Sequence, residues 1–234
     1  MNGRLVAQSD LSAADRTAMF ALLDAHFDGV TPGTFARDLG AKSRAVLIER
    51  DGRLVGFSTI NLFEASVDGE LLTVVCSGDT IVSPEAWGSI AFPRAWIDAV
   101  YALRRDHPRG RFVWLLLTSG FRTYRFLPVF WRTFYPRFDA ETPPQWQRWR
   151  DELAAAVYGK NFDPATGIVR FENPQRLRAG LAGVPAGRSD DPHIAFFLRQ
   201  NPGHAGGDEL VCVADLSPEC LTPAGRRVVY GAGR

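Results

Sequence analysis

In this chain of 234 residues, one succession restricts the fold more than any other: an extended run, a helix and a second extended run follow directly on each other. Glu70 to Val82 comes after the turn dipeptide Asp68-Gly69 and is long enough to be a central strand before Pro84 and Gly88 stop it. From about Ser89 to Arg105, the apolar residues Ile90, Trp96, Ile97, Val100, Tyr101 and Leu103 suit a helix packed on a sheet, with Pro93 restricting its first turn. Phe112 to Leu117 is then continuously apolar, too short for a helix and bounded by Gly110 and Gly120. A strand, a helix and a buried strand make a crossover unit, whose two strands lie parallel. The expected fold class is therefore α/β.

The flanking segments extend this unit. Arg4 to Ala7 reads as a short strand, and Ser12 stands at a helix N-cap with Asp15 three residues on, ahead of Met19, Phe20, Leu22, Leu23 and Phe27. Thr31 and Pro32 open a second, shorter helix through Phe35 and Leu39. Ala45 to Glu49 and Leu54 to Leu62 are joined by Asp51-Gly52, a hairpin dipeptide. Within the aromatic stretch Phe121 to Phe138, the residues Tyr124, Leu127, Trp131 and Phe134 fall at helical spacing. That pattern predicts one helix ended by Pro136, either a core helix or the wall of an apolar groove. After a Thr-Pro-Pro break come an amphipathic stretch from Trp146 to Tyr158, a Gly- and Pro-rich connection from Ala179 to Asp191, and a last strand from Glu209 to Ala214. The expected organisation is a main domain over 1–140 with a C-terminal extension, 141–234, packed on it.

Charge and composition narrow the functions. Hydrophobic residues make up 46% and charged residues 23%, so the chain should fold around a core. Basic and acidic residues stand at 27 against 26, which provides no field to attract a polyanion and argues against nucleic acid. No run approaches the apolar length of a membrane span, and MNGRLVAQSD lacks the apolar core of a signal peptide, so a cytoplasmic location is expected. Cys76, Cys212 and Cys220 are odd in number and form no C-x-x-C pair, which argues against both a disulfide framework and a metal site.

Three segments carry a family likeness. DGRLVGFSTI (51–60) places a glycine after an apolar pair in a hairpin strand, CSGDTIVSPEAWGSIAFPRAW (76–96) runs from a central strand through a loop into a helix, and SGFRTYRF (119–126) follows the buried strand. With the element order over residues 4–138, they resemble the GNAT superfamily of acyltransferases. The resemblance implies a mixed, mostly antiparallel central sheet flanked by helices. It also implies transfer of an acyl group from a thioester, acyl-CoA or acyl-carrier protein, to the amine of a small molecule, with no permanently bound cofactor. Thr80, Ile81 and Val82 would meet the thioester and pantetheine, and Trp87, Gly88, Ser89, Ile90 and Ala91 would form the phosphate loop at the start of a helix. Glu85 and Ile90 depart from the family's Q/R-x-x-G-x-G/A pattern, which keeps a carrier protein beside CoA as a donor. Tyr124 would be the acid toward the departing thiolate.

The remaining candidates keep two readings each. Asp79, charged within an apolar strand, is either the general base or a bulge residue capping a neighbouring N–H. Glu70 faces the acceptor or is a solvated strand end, and Cys76 is a nucleophile or an inert buried thiol. Arg122 and Arg125 meet an acceptor carboxylate or a donor phosphate, or they solvate a helix. His204, Asp208 and Glu209 could form a polar cluster in which a different chemistry resides. A GNAT-fold protein that binds a ligand or partner without catalysis is the alternative function. The extension is open as a lid, an acceptor site or the arm of a homodimer.

Overall fold

The computed structural model describes residues 1–188 and 190–231. Strand β1 (Asn2–Ala7) leads to helix α1 (Ala13–His26), whose start is fixed by a capping box: Ser12 Oγ accepts from the Asp15 amide, and the Asp15 carboxylate accepts from the Ser12 amide, both at 3.0 Å. A two-residue strand, β2 (Phe27–Asp28), precedes α2 (Pro32–Gly40), which Thr31 caps. Strands β3 (Arg44–Arg50), β4 (Arg53–Val67) and β5 (Glu70–Val82) are joined by turns at Asp51-Gly52 and Asp68-Gly69. All four turn residues have positive φ, the conformation that matches the twist of a hairpin and that Asp and Gly tolerate best. Helix α3 (Ala91–Asp106) then crosses to β6 (Arg111–Thr118), and β5 and β6 pair in parallel.

The aromatic stretch does not form the single helix that its spacing predicts. It breaks into α4 (Phe121–Tyr124) and α5 (Phe126–Phe130), followed by the short strand β7 (Phe134–Tyr135). Pro128 accounts for the break: it has no N–H for the Tyr124 carbonyl, and its ring would collide with that carbonyl in a continuous helix. The chain continues through α6 (Pro144–Tyr158), β8 (Phe162–Asp163), β9 (Ile168–Val169), β10 (Arg176–Leu177), α7 (Pro192–Gln200), β11 (Glu209–Asp215) and α8 (Pro223–Tyr230).

Among the described residues the main sheet has nine strands in the order β1-β3-β4-β5-β6-β11-β9-β8, with β7 beside β11. Its β5–β6 pair is parallel and its other pairs are antiparallel. The residues after 140 thus enter the same sheet, with β11 aligned on β6 from Leu210↔Thr118 to Asp215↔Val113. Strand alternation divides the core between two faces. Val46, Ile48, Val75 and Trp114 pack under α3, α4, α5 and α8, whereas Val74, Cys76 and Leu115 pack under α6, and Ala45, Leu47 and Phe57 under α1 and α2.

Candidate active site

The site begins where the sheet opens. Parallel pairing of β5 with β6 runs from Leu72↔Arg111 to Ser77↔Leu116 and stops there, although both strands continue. The cause lies on the other edge of β5. Its register against β4 passes from Thr59↔Gly78 to Phe57↔Ile81, so Asp79 and Thr80 together oppose Ser58. This bulge bends the end of β5 away from β6. Asp79 sits in it with a φ of 42°, a left-handed conformation costly for a side-chain-bearing residue and tolerated best by Asp and Asn. Ser58 Oγ and Thr80 Oγ1, 2.8 Å apart, tie the bulge to β4.

A cleft of about 1750 Å³ occupies the opening and passes through the sheet. On the α3 face its wall includes Trp87, Ile90, Phe121 and Phe126, and on the α6 face it includes Phe63, Cys76, Val157, Tyr158 and Phe171. Between the two, Asp79 and Glu209 line the middle of the cleft with Lys42. Glu209 opens β11 and therefore stands just beyond the end of β6, across from the bulge. Thr59 Oγ1 donates to the Gly78 carbonyl at 2.9 Å and lies 3.3 Å from Asp79 Oδ2. Lys42 Nζ lies over Gly78, 3.0 Å from where a Cβ would be, so glycine is required there if the ammonium is to stay in place.

Electrostatics marks these residues out. Burial pushes the Asp79 carboxyl up, and Asp38 adds to the effect while Lys42 and Thr59 oppose it. Burial and the neighbouring Asp79 push the Glu209 carboxyl up to about 8, against the pull of Lys42. Two carboxyls held near or above their ordinary range around one ammonium can exchange a proton at neutral pH. The Cys76 thiol is also pushed up by burial and has the Tyr158 hydroxyl 3.5 Å from its Sγ, so it is an inert thiol on the wall and no nucleophile.

The donor-side residues expected from the resemblance mostly do line the cleft: Thr80, Ile81, Val82, Trp87, Gly88, Ser89 and Ile90. The Val82 carbonyl accepts from Trp87 Nε1 at 2.7 Å, which fixes the loop against the free edge of β5. Ala91 is not on the wall, because its amide is turned to Ser89 Oγ at 3.2 Å. Glu85 does not oppose an incoming phosphate, since Arg53 holds its carboxylate outward at 2.7 Å. The start of α3 offers few donors to an anion: the Ala91 amide is taken by Ser89 Oγ and Pro93 contributes no N–H. Positive charge comes instead from Arg122, whose guanidinium lies 3.9 Å over the Trp87 ring and donates to the Leu181 carbonyl at 2.6 Å. Arg125, paired with Asp191 at 2.9 Å, and Arg188 share this rim.

Two expected residues stand elsewhere. Tyr124 is fully buried among Phe134, Phe196 and Phe197, donates its hydroxyl to the Pro136 carbonyl at 3.0 Å, and does not line the cleft. Its neighbours Phe121, Arg122, Thr123, Arg125 and Phe126 do line the cleft, but Tyr124 is turned the other way, onto α7, and burial raises its phenol beyond useful acidity. Glu70 opens β5 at the end remote from the bulge and meets Gln145 at 2.8 Å and Arg111 at 3.7 Å, so it faces no acceptor. In the loop before β11, Asp208 binds Arg170 at 3.0 Å and His204 packs on Phe197, which makes these two structural. Their neighbour Glu209 and the remote Lys42 complete the cluster, and sequence reasoning gave neither of them a role in the cleft. The available signal was a carboxylate leading an apolar strand. Among the described residues no group of three or more His, Cys, Asp or Glu is arranged to hold a metal, and no helix is long and apolar enough to cross a membrane.

The sequence matches no family model and no curated protein. Among solved structures it is similar to a probable N-acyltransferase from Enterococcus faecalis V583, at 16% identity over 69% of this chain and 44% of that one, with a TM-score of 0.45. It is also similar to Rv2747 from Mycobacterium tuberculosis, solved in complex with CoA, at 14% identity over 92% and 99% of the two chains with a TM-score of 0.42. A third is the ribosomal-protein-S18-alanine N-acetyltransferase of Escherichia coli, at 13% identity over 59% and 87%, with a TM-score of 0.40. The chain spans under half the length of the Enterococcus protein. The topology consists of two helices, antiparallel hairpins, a parallel pair joined through α3, and an opening beyond that pair. The fold is GNAT-like. The cleft lies beyond the parallel pair, and the bulge places Asp79 on its wall.

Proposed function

We propose that the chain is an N-acyltransferase that moves an acyl group from a phosphopantetheine thioester to the amine of a small molecule. The observation that carries the reading is the opening beyond Ser77↔Leu116, which joins an arginine-rimmed donor side to two carboxylates in one continuous cleft. The acyl thioester would lie along Thr80 to Val82, with its phosphates near Arg122 and Arg188. An amine arrives as its ammonium and must lose a proton before attack. Asp79, whose carboxyl is held above its ordinary range, is the group suited to take it near neutrality, beside Glu209, which keeps its own proton up to about pH 8 until a cation draws it off. The amine nitrogen then bonds to the acyl carbon, the C–S bond breaks, and the proton held by the carboxyls is available to the departing thiolate.

The rim arginines recognise phosphate and so suit both CoA and a carrier protein's prosthetic arm. Release of free thiol is therefore measured with acetyl-CoA, a long-chain acyl-CoA and an acyl-carrier protein, each with a mixture of primary amines. Transfer is expected from at least one donor, and Asp79→Asn should slow it about 100-fold, the size of a general-base contribution. Donor binding without thiol release in any arm would turn the reading to a non-catalytic binding protein. Absence of binding to every donor would overturn it.

A further inference from the structure

The α6 side of the cleft has a chemistry of its own. Asp79 and Glu209 face the cleft, and among the described residues neither forms an ion pair, while Thr59 is the one side chain within hydrogen-bonding distance of Asp79. Lys42 influences both carboxyls through space, yet it too makes no ion pair within 4 Å. Half-buried carboxylates without a partner are costly and are normally satisfied by a cation. On that side the wall carries the apolar side chains Phe63, Val157, Tyr158 and Phe171, with Lys160, Asn161, Glu172 and Asn173 also lining the cleft. Val157 and Phe171 are 41% and 36% exposed, so both side chains are open to the cleft they line. The Tyr158 and Phe171 rings meet edge to face at 6.4 Å, so the wall is a built surface.

We infer that the second substrate is a primary amine with an apolar, ring-sized body, whose ammonium lies at Asp79 and Glu209 and whose body covers Phe63, Val157 and Phe171. Calling it the acyl acceptor rests on the acyltransferase reading, but the binding site does not. The same geometry disfavours two common classes of amine. An amino acid would bring its own carboxylate next to Asp79 and Glu209. A polyamine would lay its second ammonium against Phe171 and Val157.

The test is calorimetric titration of the full chain, with and without free CoA, using 2-phenylethylamine, ethylamine, phenylalanine and spermidine. The inference expects 2-phenylethylamine to bind at least ten-fold more tightly than each of the other three, equivalent to about 1.4 kcal/mol. Phe171→Ala should bring it to within about three-fold of ethylamine, measured on a variant whose cooperative melting shows that it is folded. Equal binding of ethylamine or spermidine, no detectable amine binding in either state, or an unchanged preference in Phe171→Ala would each overturn the inference. No acyl donor takes part in the titration. Amine binding without any acyl transfer would therefore count against the acyltransferase reading alone, while acyl transfer with no preference for apolar amines would count against this inference alone.

Discussion

Replacing Glu209 by glutamine should make the protein more stable in alkaline solution and leave it nearly unchanged in acid. Burial, and then Asp79, hold the Glu209 carboxyl at about 8 against an ordinary 4.5. Between those values the folded state keeps a proton that the unfolded chain has lost. Stability therefore falls as pH rises from about 4.5 to about 8, and outside that window Glu209 adds no slope. At about 1.36 kcal/mol per pH unit, the span gives a ceiling of about 5 kcal/mol. Solvent reaches part of the side chain, and screening brings the expected effect down to about 2 kcal/mol. Glutamine keeps the shape and cannot ionise, so Glu209→Gln avoids this loss and also frees Asp79 from a like charge. Urea unfolding at pH 5, 7 and 9 measures it. The difference between variant and wild type should be small at pH 5 and grow to about 2 kcal/mol by pH 9, with the m-value unchanged. Parallel pH profiles for the two proteins would show that Glu209 titrates normally, and the electrostatic account of the site would be wrong.

Two further outcomes test the assignment of individual side chains. Tyr124→Phe removes the hydroxyl that serves the Pro136 carbonyl, so it should lower unfolding stability by about 1 kcal/mol and leave the rate of thiol release within two-fold of wild type, whereas a large fall in rate would return Tyr124 to the chemistry. Arg122→Ala removes the cation stacked on Trp87 and should raise the KM for acyl-CoA by about ten-fold at nearly constant kcat, a split that steady-state kinetics resolves and that a loss in kcat alone would contradict.

Local grammar carried the fold. Ser12 with Asp15, Thr31 with Pro32, and the two Asp-Gly dipeptides determine their own backbone, and each is realised where the sequence predicts it. The crossover from β5 through α3 to β6 was equally legible, because hydrophobic period and length separate a helix from a buried strand. Pro128 was a legible breaker that helical spacing overrode, and which way Tyr124 faces was set by α7, a distant segment that packs on its ring. Glu70 and Asp79 both lie on β5, and nothing local tells which end of a strand meets the site. The direction of the opening decides, and that depends on a bulge involving Ser58 on another strand. Glu209 was hidden by distance: it reaches Asp79 only because β11 docks beside β6, a pairing between segments over ninety residues apart in the chain.

The insertion of β11 into the sheet makes the cleft a joint product of both ends of the chain: Trp87 and Arg122 on one side are met by Arg188, and Phe63 and Asp79 on the other by Val157, Phe171 and Glu209. Each wall is anchored in its own core, one under α3 and one under α6. Under the proposed function, substitutions at Val157 and Phe171 would change the amine side while leaving Trp87 and Arg122 in place. A library confined to Val157 and Phe171 would then be the economical route to a new acceptor, since neither belongs to the buried core under α3.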